Sequence, residues 1–141
     1  MDTNAYELTD AEWRRLKNLD NRYRSSAKGI FAGRAEYYQK MTGGVYTKIT
    51  VRDQRTRWGS CSTRGTLSFN YRLVYAPLHV LDYVVVHELC HLTHMDHSKE
   101  FWQMVEQIMP DYRECKMWLK EHGRELNIMD YLKKQGQQVR L

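Results

Sequence analysis

The run Pro77-Leu78-His79-Val80-Leu81-Asp82-Tyr83-Val84-Val85-Val86-His87-Glu88-Leu89-Cys90-His91 admits two readings. Its three consecutive valines are β-branched, lose rotamer freedom in a helix and favour a strand. Against that, proline suits the first turn of a helix, and Leu78, Leu81, Val84, Val85 and Leu89 would bury one broad helical face. The end of the run decides the matter, because His87-Glu88-Leu89-Cys90-His91 has the HExxH spacing. At 3.6 residues per turn the two histidines lie about 40° apart around a helix axis and one turn apart along it, close enough to bind one metal ion. Glu88 falls about 100° from His87 and therefore flanks the ion, where it suits a general base acting on a metal-bound water.

Two imidazoles do not complete a catalytic zinc site, which usually has three protein ligands and one open position. His94, His97 and Glu100 follow within reach. On a straight continuation of the helix His94 would face the same side but lie about 10 Å along the axis from His87, too far for a shared ion. The chain must therefore turn back after His91. Met95-Asp96 suits a turn, Ser98 can cap the next helix, and His97 then stands at that helix start facing the metal. This geometry favours His97, with Glu100 or another acid of the following helix next and His94 last.

Outward from this run, Thr9 and Glu12 form a capping box ahead of a first amphipathic helix carrying Ala11, Leu16, Leu19 and Tyr23. A second helix is expected over residues 31–41, stopped by Gly43-Gly44. Val45, Thr47, Ile49 and Val51 alternate with polar neighbours, as do Leu67, Phe69, Tyr71 and Leu73 after the turn-like Ser62-Thr63-Arg64-Gly65. These runs predict a small antiparallel sheet whose middle part passes through residues 57–62. After the metal motif, Phe101, Trp102, Val105, Ile108 and Met109 read as the core face of a helix behind the site. The stretch Gly123–Leu141 is polar, with one helix expected around Leu126–Leu132 and a frayed end.

The chain has 141 residues, enough for one domain with a core of its own. The expected fold class is α+β, a single zincin-like domain with N-terminal helices, the small antiparallel sheet, the HExxH helix and C-terminal helices. Its organisation reads as an N-terminal helical segment over 1–33, the main domain over 34–123 and a tail over 124–141. The longest charge-free apolar stretch, Leu73–Leu81, contains Pro77 and His79 and is less than half the length of a membrane span. Three cysteines cannot all pair internally, and the first residues lack the pattern of a signal peptide, so a cytoplasmic, reducing setting is expected. A monomer is expected as well.

The formal net charge of +5 is unevenly spread. Residues 14–40 carry eight Lys or Arg against two acids, residues 52–72 carry five Arg against one Asp, and residues 82–100 carry four acids against one Lys. Basic flanks around an acidic centre fit nucleic-acid binding, and they equally fit a solvated surface with an Arg-rich substrate rim.

Several segments together carry a resemblance. Arg57-Trp58-Gly59-Ser60-Cys61 is followed by Leu67, Asn70, Arg72 and Leu73, then Ala76-Pro77, Tyr83 through His91, His97-Ser98, Phe101-Trp102 and Pro110-Asp111-Tyr112. In these the chain resembles the YgjP-like metallopeptidases, which are similar to the WLM and SprT-type zinc peptidases, over about residues 34–123. HExxH alone is shared by many zinc peptidases, whereas the Arg-Trp-Gly-Ser-Cys segment is far more specific. The resemblance implies one zinc ion held by His87, His91 and His97, with Glu88 catalytic. The metzincin signature shares the His91-to-His97 spacing but has Gly where this chain has His94, and ranks well below.

The function expected is thus a zinc metallopeptidase that hydrolyses peptide bonds of a protein or peptide substrate through a zinc-activated water, with Glu88 as general base. The alternatives are a zinc-containing nucleic-acid-binding module and a peptidase acting on DNA-associated proteins. Arg57, Arg72, Tyr71, Tyr112 and Tyr131 are candidates for the donor opposite the metal, and Asn70, Asp82, Asp96 and Glu100 for orienting a ligand imidazole. Arg57 and Trp58 more simply cover and pack the sheet. Cys90 points away from His87 and reads as packing in an apolar helix, Cys61 and Cys115 lack paired ligand spacing, and His79 and His122 read as surface residues at helix ends. The strand Val45–Arg52 is expected to hold an extended peptide if it lies at the sheet edge near the zinc.

Overall fold

The valine run is helical because it is enclosed. In the computed structural model, which describes residues 7–139 and the side chains of 7–134, helix α2 (Leu78–His91) buries residues all round its axis, Val84, Val85, Val86, Leu89 and Cys90 among them. A helix surrounded by packing partners needs apolar residues on every side, which outweighs the modest β-branched cost. Pro77 sits at its N-cap, one residue outside the helix. Around α2 stand α1 (Asp10–Thr42), a sheet of β1 (Lys48–Arg52), β2 (Gly59–Cys61) and β3 (Thr66–Asn70), then α3 (Lys99–Ile108), α4 (Tyr112–His122) and α5 (Ile128–Val139). The architecture is α+β, as expected. No described helix is long and apolar enough to cross a membrane.

The two expected N-terminal helices are one. Helix α1 runs unbroken for 33 residues from the Thr9 cap, whose side chain accepts from the Glu12 N–H, to Gly43, which closes it at φ 71°. The expected gap held Ser25, Ser26 and Gly29, all weak helix formers. Both serine hydroxyls instead donate to carbonyls one turn back, those of Asn21 and Arg22. The buried stripe Ala27, Phe31, Ala35 and Tyr38 then holds the helix on the core. Tertiary burial overrides local propensity there.

Across this stripe the carboxylate of Asp82 on α2 accepts two hydrogen bonds from the Arg34 guanidinium, at 2.7 and 2.6 Å, and one from the Tyr38 hydroxyl at 2.9 Å. Asp82 therefore ties α1 to the HExxH helix and orients no imidazole. Asp82→Ala leaves the Arg34 charge unpaired at a half-buried junction, and the expected cost is about 2 kcal/mol of unfolding free energy in urea titration.

The sheet is mixed, not antiparallel. Its order is β1-β3-β2, with β1 parallel to β3 and β2 antiparallel to it. Alternation fixes which face of a strand is buried but not which strand it pairs with, and the chain between β1 and β3 is long enough for a crossover. The Asn70 side chain holds that crossover, donating to the carbonyls of Gln54 and Arg57 and accepting from the Arg72 N–H. Both strands are shorter than their patterns suggested. Val45 lies outside β1 and is 76% exposed, while Tyr71 and Leu73 stay buried in a 3₁₀ turn (Tyr71–Tyr75) after β3. The end of the chain is helical as α5, longer than the helix expected; residues 140–141, at the end expected to fray, lie outside those described.

Candidate metal centre

His87 and His91 lie one turn apart at the end of α2, and the chain folds back after them, as expected. Ser98 caps α3, accepting from the Phe101 N–H, so His97 sits one residue ahead of the cap with its ring turned to the end of α2. The three Nε2 atoms stand 3.2, 3.2 and 3.3 Å apart. Four-coordinate tetrahedral zinc with bonds of about 2.0–2.1 Å requires ligand nitrogens about 3.3–3.4 Å apart, so the triangle fits a tetrahedral ion.

The tautomers agree with that fit. His91 Nδ1 lies 2.9 Å from the backbone carbonyl of His94, which can only accept, so Nδ1 carries the proton and the Nε2 lone pair of the neutral ring faces the other two. Tyr83, one turn before His87, places its hydroxyl 3.4 Å from His87 Nδ1. Burial, reinforced by the charges of His91, His97 and Lys116, pushes His87 down to about 3, which keeps the imidazole neutral. Phe101 backs the cluster, with ring centres 4.3 Å from His91 and 4.9 Å from His87.

Glu88 is 5% exposed, and its Oε2 lies 4.0 Å from His87 Nε2, beside the triangle but outside it. Burial pushes the carboxyl up to about 8, opposed by the positive charge of Arg57. Strand β2 crosses directly over it. A Cβ on Gly59 would lie 3.1 Å from Glu88 Cγ and from Val84 Cγ1 and 3.2 Å from Glu88 Oε2, so the glycine of the Arg-Trp-Gly-Ser-Cys segment is what lets the strand pass. Gly59→Ala must displace the carboxylate or the strand by a few tenths of an ångström. Turnover is expected to fall about 10–100-fold with little change in melting temperature, measured by steady-state cleavage and thermal unfolding.

Of the other candidates, Glu100 is exposed and His94 contributes its carbonyl to the site. Asp96 accepts from the Ser98 N–H. Tyr71 donates to Asp20, Arg72 pairs with Asp53, Tyr112 stacks on Trp102, and Tyr131 lines a separate cleft beyond Trp58. Of those five proposed donors, Arg57 is the group whose charge bears on Glu88. Trp58 packs against the core and also walls the space beside Glu88, so the packing and cleft roles coincide. His79 pairs with Asp111 and His122 with Glu125, both at the surface. Sequence reasoning missed Tyr83 as a partner of His87, although its i, i+4 spacing was the available signal, and it missed the His94 carbonyl.

A buried helix ending in HExxH, with a third imidazole brought back just ahead of the next helix, is the arrangement of a metallopeptidase site. The family model described as the YgjP-like metallopeptidase domain matches residues 2–122, and the chain belongs to that family. It is accordingly a metallopeptidase, a hydrolase, whose family implies a metal ion. The fold is similar to that in the crystal structure of the metallopeptidase zymogen of Pyrococcus abyssi abylysin, at a TM-score of 0.57 and 21% identity, over 64% of this chain and 93% of that one. No curated protein matches the sequence.

Proposed function

We propose that the protein is a zinc-dependent peptidase of protein or peptide substrates, with His87, His91 and His97 holding one zinc ion and Glu88 as general base. The observation that carries this reading is the triangle of Nε2 atoms, 3.2–3.3 Å apart, with a buried carboxylate beside it. Bound there, zinc supplies Lewis-acid activation of water and polarises the scissile carbonyl. Glu88 takes the proton of the attacking water at its carboxylate and delivers it to the leaving amine. The Tyr83 hydroxyl and the His94 carbonyl hold the His87 and His91 rings in place, and Arg57 adds positive charge near Glu88. Among the described residues three imidazoles come together, not four ligands, which favours an enzyme over a structural zinc module.

Extended substrate is held at β2, not β1. Both are edge strands, but β3 separates β1 from β2, and it is β2 that overlies Glu88. A peptide added to the free edge of β2 brings its backbone past the carboxylate. The three free thiols, two of them buried, suit a cytoplasmic compartment.

The test is a comparison of new N-termini in a proteome-derived peptide library treated with the zinc-loaded or the chelated protein. Zinc-dependent new termini are expected, and their absence would sink the proposal. Salt-dependent DNA binding through the exposed basic face of α1 would instead point to DNA-associated proteins as substrates.

A further inference from the structure

The space beside Glu88, about 370 Å³, has apolar walls of Trp58, Tyr83, Val84 and Leu119; Gly59 and His87 also line it, and two lysines, Lys116 and Lys120, complete its lining. Both lysines come from α4 one turn apart, on one helix face. They also line an adjoining space of about 530 Å³ with Trp102 and Arg113, so they stand where the two meet. Apart from Glu88, neither lining contains an acid.

Both lysines are exposed, and among the described residues neither has a carboxylate partner. The Lys116 ammonium lies 4.3 Å from the centre of the Trp102 ring, which fixes it near the metal cluster. Like charges at i, i+4 repel, so the pair costs helix stability unless an anion joins it.

We infer that this pocket is a specificity subsite for an acidic substrate side chain, glutamate foremost, next to the scissile bond. The inference rests on the peptidase reading. A glutamate stem has methylenes for the Trp58, Val84 and Leu119 walls and a carboxylate for the two ammonium groups. A phosphate backbone has no such stem, and the apolar walls do not suit it. Lys116 and Lys120 thereby select the bond to be cut.

The test is an anisotropy titration of the zinc-loaded Glu88→Gln protein with a rhodamine-labelled decapeptide bearing one central Glu, against the same peptide with Gln. The Glu peptide is expected to bind about 5-fold tighter, as for a partly exposed ion pair. The difference should vanish in Lys116→Gln/Lys120→Gln and be intermediate in Lys120→Gln, which retains the Lys116 contact with Trp102. Equal binding of the two peptides, or a preference that survives the double substitution, overturns the inference. So does lysine-dependent binding of a ten-residue oligo-dT tighter than that of the Glu peptide.

Cleavage of a peptide library by the unsubstituted protein separates this inference from the reading beneath it. Glu88-dependent cuts without Asp or Glu enriched beside them overturn the subsite and leave the peptidase standing. Lysine-dependent binding of the Glu peptide without any Glu88-dependent cut overturns the peptidase and with it the role of the lysines in choosing a bond, leaving only a site that binds an acidic side chain.

Discussion

Replacing Glu88 with Gln is expected to lower zinc-dependent peptide cleavage by about 10²–10⁴-fold, the usual contribution of a positioned general base, and to leave zinc bound at one ion per chain. The amide keeps the shape of the carboxylate but cannot accept the proton of the attacking water. Because Glu88 stands outside the imidazole triangle, 4.0 Å from His87 Nε2, the substitution removes no ligand. Nor does it strand a buried charge, since the Gln side chain is neutral where the carboxylate is 5% exposed. The melting temperature is therefore expected to hold or rise slightly. The measurement is kcat on an internally quenched peptide, beside metal content by elemental analysis and thermal unfolding of the same preparation. Unchanged kcat with zinc bound removes Glu88 from the mechanism; lost zinc makes it a ligand.

The parts of the molecule legible in the sequence are those with a short-range physical signature. Helical spacing places His87 and His91 on one side of α2, and the short reach of a single shared ion calls for the turn that brings His97 back. The Thr9 cap and the Gly43 stop marked both ends of α1 through local hydrogen bonding and a positive φ. What escaped depends on partners far along the chain. The middle of α1 is helical because Phe31 stacks on Phe69, with ring centres 4.6 Å apart, and because Arg34 meets Asp82 forty-eight residues later. Neither contact has a local pattern. The parallel pairing of β1 with β3 likewise depends on Asn70 gripping the crossover. Gly59 shows the same limit at the site: its motif could be recognised, but the reason for a glycine is the Glu88 side chain beneath it.

His97, proposed as the third ligand, gives the other large effect. His97→Ala is expected to weaken zinc binding by more than the about 10–100-fold that losing an outer-shell partner costs, whereas His94→Ala and Glu100→Ala leave it nearly unchanged. His94 acts through its backbone carbonyl, which accepts from His91 Nδ1 at 2.9 Å and survives side-chain truncation. Glu100 lies in the first turn of α3 and is exposed, outside the trio whose ligand atoms lie within 4.8 Å of one another. Two readouts check the ordering. Competition with a chromophoric chelator reports affinity directly. Thermal unfolding reports linkage: free zinc at 100 times its dissociation constant stabilises the folded state by about 2.7 kcal/mol, or about 5–11 °C at about 2–4 °C per kcal/mol. That shift should be present in the unsubstituted chain, in His94→Ala and in Glu100→Ala, and largely absent in His97→Ala at the same zinc concentration. Because His97 is exposed and precedes the Ser98 cap, truncating it leaves the metal-free melting temperature close to that of the parent. A loss confined to the zinc-loaded state therefore identifies a ligand, and an equal loss in both states would make His97 a packing residue.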